Sequence, residues 1–298
     1  MEAPAWAPEA VETPGAAAAD TRMDTVELLV HDLDAMTAFY RDAVTLDVLD
    51  QSGPTATLGR GIRPMVMLKQ EKHLPGRDSY GAGLFHTAIV FEDQRRLAAA
   101  LASMAENAGD LYQGAADHLV SEAFYFADPE GNGIELYRDR PRDQWQISGG
   151  VIQMASNPLS PRQYLTQWHD PDLPAGGTSA AIGHVHLQVG DIPTAQHFYT
   201  DIMGLDATFR MGRSALFVSA GGYHHHLGLN TWNSAGAGPR AATLGLGDVR
   251  MLTPTREDVE ALAERLRHYQ VPFADDGSTL RFEDPWKTQL MVSPEQAA

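Results

Sequence analysis

Three residues in this sequence have the types and the setting to hold a metal ion: His86, Glu135 and His184. Glu135 lies near the end of SEAFYFADPEGNGIELY, Ser121 to Tyr137. Asp128-Pro129 followed by Gly131-Asn132-Gly133 is turn chemistry, proline fixing φ and glycine admitting positive φ, so the stretch reads as strand, tight turn, strand. On the outgoing strand Ile134 and Leu136 alternate with Glu135 and Tyr137, which puts the acid and the phenol on one face. His86 begins the strand-like run HTAIVF, and His184 begins HVHLQV. Two imidazoles and one carboxylate with positions left open form a facial triad, which suits Fe(II) and also Mn or Zn. The chain has no cysteine, so thiolate ligands, a thiol nucleophile and disulfides are excluded.

The elements that must position these residues come as four copies of one unit. From Thr25, TVELLV alternates as a strand. Asp32 can cap a helix on which Leu33, Met36, Phe39 and Tyr40 recur at helical spacing, and strand-like runs follow at Leu46 to Leu49, Thr55 to Leu58 and Met65 to Lys69. A second βαβββ unit begins at His86, continues through an Ala/Leu helix from about Arg95 to Glu106 and closes on the hairpin. The third, from His184, repeats the first: VELLVHDLDAMTAFYRD against VHLQVGDIPTAQHFYTD. A fourth starts near Ala242, opens its helix with a capping box from Thr255 to Asp258, and ends in FEDPWKTQLMV, where Asp284-Pro285 repeats Asp128-Pro129. The repeat tests the ligands. Thr25 stands where the third unit has His184, and the offset that superposes Asp128 on Asp284 sets Ala242 against His86 and Met291 against Glu135. One complete set and one empty set result.

At 298 residues, 43% of them hydrophobic, the chain can form two compact domains. A formal charge of −17 argues against nucleic acid as a partner, because phosphate binding needs a basic surface. No apolar run approaches the roughly 20 residues of a membrane span. The opening EAPAWAPEAVETPGAAAAD lacks a basic and an apolar signal region; residues 1–22 read as a disordered tail, and the expected location is cytoplasmic. The expected domains are 23–138, with units one and two, and 181–294, with units three and four. The Pro-, Gly- and Asp-rich stretch 139–180 reads as their connector.

This arrangement resembles the vicinal oxygen chelate superfamily, which includes glyoxalase I, bleomycin-binding proteins and extradiol catechol dioxygenases, over roughly Thr25 to Val292. Within it, GLFHTAIVF, DHLVSEAFYFADPEGNGIELYRDRP, IGHVHLQVGD and SALFVSAGGYHHHLGLNTW look most like bacterial catechol 2,3-dioxygenase-like proteins. The resemblance implies an α+β fold of four βαβββ units paired into two cup-shaped mixed-sheet domains, with His86, Glu135 and His184 as metal ligands. An ion shared by those three requires unit two to face unit three, the crossed pairing of glyoxalase I made within one chain. The activity implied is extradiol cleavage of a small aromatic diol by O2, with Fe(II), or else Mn, Zn or Ni.

Tyr125, ten residues before Glu135, matches the active-site tyrosine of those dioxygenases in spacing. His118 looks like part of the same polar group, and Tyr137 shares its face with Glu135. In the run Tyr223-His224-His225-His226, parity with Leu227 and Leu229 turns His224 and His226 into the cup as acid and base and His225 outward. The dioxygenase resemblance instead favours His225. His186, two residues after His184, is a candidate fourth ligand or supporting group. A glyoxalase-type isomerase, a thiol transferase and a resistance protein that sequesters a small molecule are the other readings, and a homo-oligomer is compatible with each.

Overall fold

The computed structural model describes residues 16–148, 151–176 and 180–295. Unit one supplies β1 (Arg22–Val30), β2 (Asp47–Ser52), β3 (Thr55–Arg60) and β4 (Arg63–Gln70). Unit two supplies β5 (Gly83–Phe91), β6 (Tyr112–Asp117), β7 (Ser121–Ala127) and β8 (Gly133–Asp139). Unit three supplies β9 (Ala180–Gln188), β10 (Asp206–Met211), β11 (Ala215–Ser219) and β12 (Leu227–Asn230). Unit four supplies β13 (Gly245–Thr253), β14 (Phe273–Asp275), β15 (Leu280–Glu283) and β16 (Gln289–Pro294). In every unit the first strand runs parallel to the last, as a connection through a crossover helix allows.

The helices start where the capping residues put them. Asp32 caps α1 (Leu33–Asp42), Asp93 caps α2 (Gln94–Asn107), and Ser160 caps α3 (Pro161–Trp168) in the connector. Asp191 caps α4 (Ile192–Gln196), which runs on as a π-type turn, and Thr255 caps α5 (Arg256–His268) through the expected capping box. Each cap oxygen accepts a backbone N–H of the first turn, a contact worth about 1 kcal/mol. Met36 and Tyr40 of α1, Leu97 and Leu101 of α2 and Leu262 and Leu266 of α5 bury their apolar faces in one continuous core with the strands.

Two mixed sheets result, and they are crossed. One has the order β14-β15-β16-β13-β1-β4-β3-β2; the other has β6-β7-β8-β5-β9-β12-β11-β10, extended beyond β6 by Asn157–Pro158. Units one and four meet at the antiparallel seam between β1 and β13, units two and three at that between β5 and β9. Residues 23–138 and 181–294 therefore each contribute to both sheets. Residues 1–15 of the expected tail lie outside the described residues. In the described part of that segment, Ala16–Thr21, the Ala17 N–H donates to the Gly204 carbonyl at 2.8 Å, so this part is held in place. The connector is tied down by buried Trp145 and Tyr164.

Candidate metal centre

β8, β5 and β9 lie side by side, and their register assembles the site. Ala88 on β5 pairs with Glu135 on β8 and, across the seam, with His184 on β9. His86 precedes Ala88 by two residues and projects from the same face. Neighbouring strands are about 4.8 Å apart, close enough for the three side chains to meet. His86 Nε2 lies 2.9 Å and His184 Nε2 3.1 Å from the same Glu135 oxygen, with 3.4 Å between the nitrogens. All three residues are buried, and among the described residues they are the group whose potential ligand atoms converge, within 4.8 Å of one another.

Their charge states suit the same role. Burial alone would raise the Glu135 carboxyl, but the His184 and His86 imidazoles against it hold it well below the usual carboxylate range. Burial takes His184 down to about 4, against the opposing pull of Glu135. An ionised carboxylate beside the neutral His184 imidazole presents lone pairs, the state a divalent cation requires. The donor set therefore fits such an ion, which would satisfy three crowded acceptor atoms at once.

The triad opens into a cavity of about 810 Å3. Phe85, Phe126, Phe209, Phe217 and Trp232 contribute to its aromatic lining, and among the described residues Arg77 is the one lysine or arginine on its wall. That guanidinium is engaged by the carbonyls of Gly131 and Leu84. Tyr125, paired with Glu135 across the β7–β8 hairpin, stands beside His86 with 5.6 Å between ring centroids. Its hydroxyl donates to His118 Nε2 at 2.6 Å, while His118 Nδ1 donates to the Ala155 carbonyl at 2.6 Å. His186 also lines the cavity, its ring centroid 4.9 Å from that of His86, but it is not one of the converging donors.

The histidine run departs from the parity expectation. His225 faces the cavity, its ring stacked on Phe217 at 4.3 Å and set against His184 at 4.0 Å. His224 points away to Asp139, with Nε2 2.7 Å from Oδ1, and His226 Nδ1 accepts the Ala220 N–H at 3.2 Å. Alternation fails because β12 begins only at Leu227; the three histidines precede it, behind Gly221 and Gly222, which both hold positive φ. Tyr137 packs behind His184, centroids 4.9 Å apart, rather than lining the cavity. Its hydroxyl occupies the space a side chain at Gly183 would need: a Cβ there would come within 1.8 Å of it. The sequence reading passed over Asp139 and Tyr223. Asp139 continues the alternation of Glu135 and Tyr137 along β8 and was legible from it.

A family model described as the Glyoxalase/Bleomycin resistance protein/Dioxygenase superfamily matches residues 22–136 and 181–289. The chain belongs to that superfamily. It is 36% identical over 273 residues to the catechol-2,3-dioxygenase of Bacillus subtilis strain 168, covering 89% of this chain and 94% of that protein. Among solved structures it is similar to a Bacillus subtilis protein (TM-score 0.63, 13% identity, 93% of this chain and 86% of the other). It is also similar to glyoxalase I from Zea mays (TM-score 0.55, 16% identity, 92% of each). These two likenesses are likenesses of fold.

The superfamily repeat makes the first sheet a second cup, and its ladders correct the expected register. β5 pairs with β8 so that His86 meets Gly133 and Ala88 meets Glu135; β13 pairs with β16 so that Asp248 meets Gln289 and Arg250 meets Met291. Asp248, not Ala242, is therefore the counterpart of His86, because unit four is shorter than unit two between its first strand and its hairpin. Met291 stands as expected opposite Glu135, and Thr25, which the repeat sets against His184, falls at an irregularity of the β1–β13 ladder between Met23 and Val26.

Proposed function

We propose that this chain is an extradiol dioxygenase acting on a neutral, apolar aromatic diol, with Fe(II) held by His86, Glu135 and His184. One observation carries the reading: three converging donors open into an aromatic cavity that also presents His225 and the Tyr125–His118 pair. The catechol-2,3-dioxygenase name of the 36% identical relative supports it. The metal would supply Lewis acidity and the redox capacity that makes dioxygen react with a diol.

The protein's own groups supply the rest. His225 is kept neutral by burial, and by the His184 and His224 rings beside it. It is suited to take a proton from a diol hydroxyl and return it later. Tyr125 is held protonated by burial and by Glu135, and the His118 acceptor fixes its orientation against the substrate. The aromatic walls favour a ring carrying apolar substituents, and the engagement of Arg77 leaves no lining cation for an acidic substituent. Loading the purified protein with Fe(II) under anaerobic conditions, then adding alkyl- and aryl-substituted catechols and O2, tests this. The expected result is a yellow ring-fission product formed only with O2. Silence across the panel with iron bound, or turnover that survives without O2, overturns it.

A further inference from the structure

The hydrogen bonds behind His225 form a chain that reaches a surface cleft at the end of β8. Asp139, at the end of β8, lines a surface cleft with Arg142 and Trp145, its side chain 26% exposed. Its Oδ2 accepts the Tyr223 hydroxyl at 2.8 Å, and that hydroxyl in turn accepts the Tyr137 hydroxyl at 2.7 Å. Its Oδ1 lies 2.7 Å from His224 Nε2, and His224 Nδ1 lies 2.8 Å from His225 Nδ1. The backbone carrying the run is pinned as well: Thr208 Oγ1 donates to the His224 carbonyl, and Ser219 Oγ donates to that of Tyr223 at 2.6 Å.

Counting protons along the chain leaves one neutral arrangement. A carboxylate only accepts, so His224 must carry its proton on Nε2. His224 Nδ1 is then a lone pair, so His225 Nδ1 must be the donor between them. His225 is left with a bare Nε2, the nitrogen that remains for the cavity. We infer that Asp139 and His224 are positioning residues that fix the tautomer of His225, so that it meets the substrate as a base and not as an N–H donor. This rests on the proposed role of His225 in proton transfer, but the tautomer itself is independent of any reaction.

The experiment is two-bond 1H–15N correlation on 15N-histidine protein loaded with Zn(II), with the His225 signals assigned by their loss in His225→Gln. The expected wild-type pattern is a protonated Nδ1 and an unprotonated Nε2 at His225. Asp139→Ala should move His225 toward the Nε2-protonated form, with zinc stoichiometry unchanged. On an active catechol the same variant should lose about 10²-fold in kcat with KM retained, the scale of a misdirected general base. Asp139→Glu should restore part of both signals. A wild-type His225 protonated on Nε2 overturns the inference even if no Asp139 variant folds, and so does an unchanged tautomer in Asp139→Ala. Absence of ring cleavage with the predicted tautomer present would instead count against the dioxygenase reading alone.

Discussion

The two cups of this molecule share a framework and differ at the floor. The same tie runs twice from one sheet to the other: Tyr40 of α1 donates to Asp128 of the second unit's hairpin at 3.2 Å, and Tyr199 donates to Asp284 of the fourth unit's hairpin at 2.9 Å. At the floor, His86 and Glu135 in one sheet correspond by ladder register to Asp248 and Met291 in the other, and His184 and His186 correspond by the sequence repeat to Thr25 and Glu27. Where the first has the small Ala88, the second has Arg250, whose guanidinium bonds Asp248 at 2.8 and 3.0 Å and comes within 3.9 Å of Glu27. One floor thus gathers acids around a cation that is covalently part of the chain, and the other gathers an acid and two imidazoles whose ligand atoms converge. The hairpin tie is kept in both halves, whereas the converging ligand-type side chains are kept on one floor alone among the described residues.

The largest break in this comparison should come from removing a ligand. Glu135→Ala or His86→Ala should lower metal affinity by more than about 10²-fold, the loss seen when merely supporting groups of metal sites are removed. Elemental analysis after dialysis reads it, and metal retained at one equivalent in both variants would mean that another site binds. Ala88→Arg should transplant the second cup's solution into the first, abolishing stoichiometric metal while the thermal transition persists. Metal bound at wild-type level in that variant would show that the floors are not equivalent.

In the other cup, Arg250→Ala should cost about 3–4 kcal/mol in urea unfolding, since it strands buried Asp248 beside Glu27. Burial and Asp248 already push the Glu27 carboxyl up, against the pull of Arg250. The smallest effect concerns the shared tie. Burial raises Asp284 to about 6 despite the hydrogen bonds of Thr288 and Tyr199. A raised folded-state value means the native protein keeps a proton that the unfolded chain releases. Its contribution is complete below about pH 4 and is lost as pH rises through 6, amounting to about 2–3 kcal/mol. Asp284→Asn should flatten that part of the stability profile, and an unchanged slope between pH 4 and 7 would refute the assignment.

Much of this architecture was legible because it is periodic. Capping residues, the Asp-Pro hairpins and the repeat of Phe39-Tyr40 in Phe198-Tyr199 marked the units, and comparing them singled out His86, Glu135 and His184, whose side chains converge. What escaped was decided by tertiary register. Asp248 was missed because a shared Asp-Pro anchor says nothing about a shortened connection upstream of it. His225 could not be chosen over its neighbours by counting, since two glycines at positive φ reset the chain just before them. Asp139 is the exception, since β8 runs on to it with the alternation of Glu135 and Tyr137.

The crossed connectivity carries a consequence for synthesis. A nascent chain that has emerged as far as the connector holds two half-built sheets, with β1 and β5 each lacking the neighbour that completes its seam. Neither half can close until later segments arrive, β9 first and β13 afterwards, so assembly is set by long-range pairing and is slow by the usual relation between topology and rate. During that wait the exposed edges invite pairing with other copies, and prompt delivery of β9 and β13 shortens the exposure.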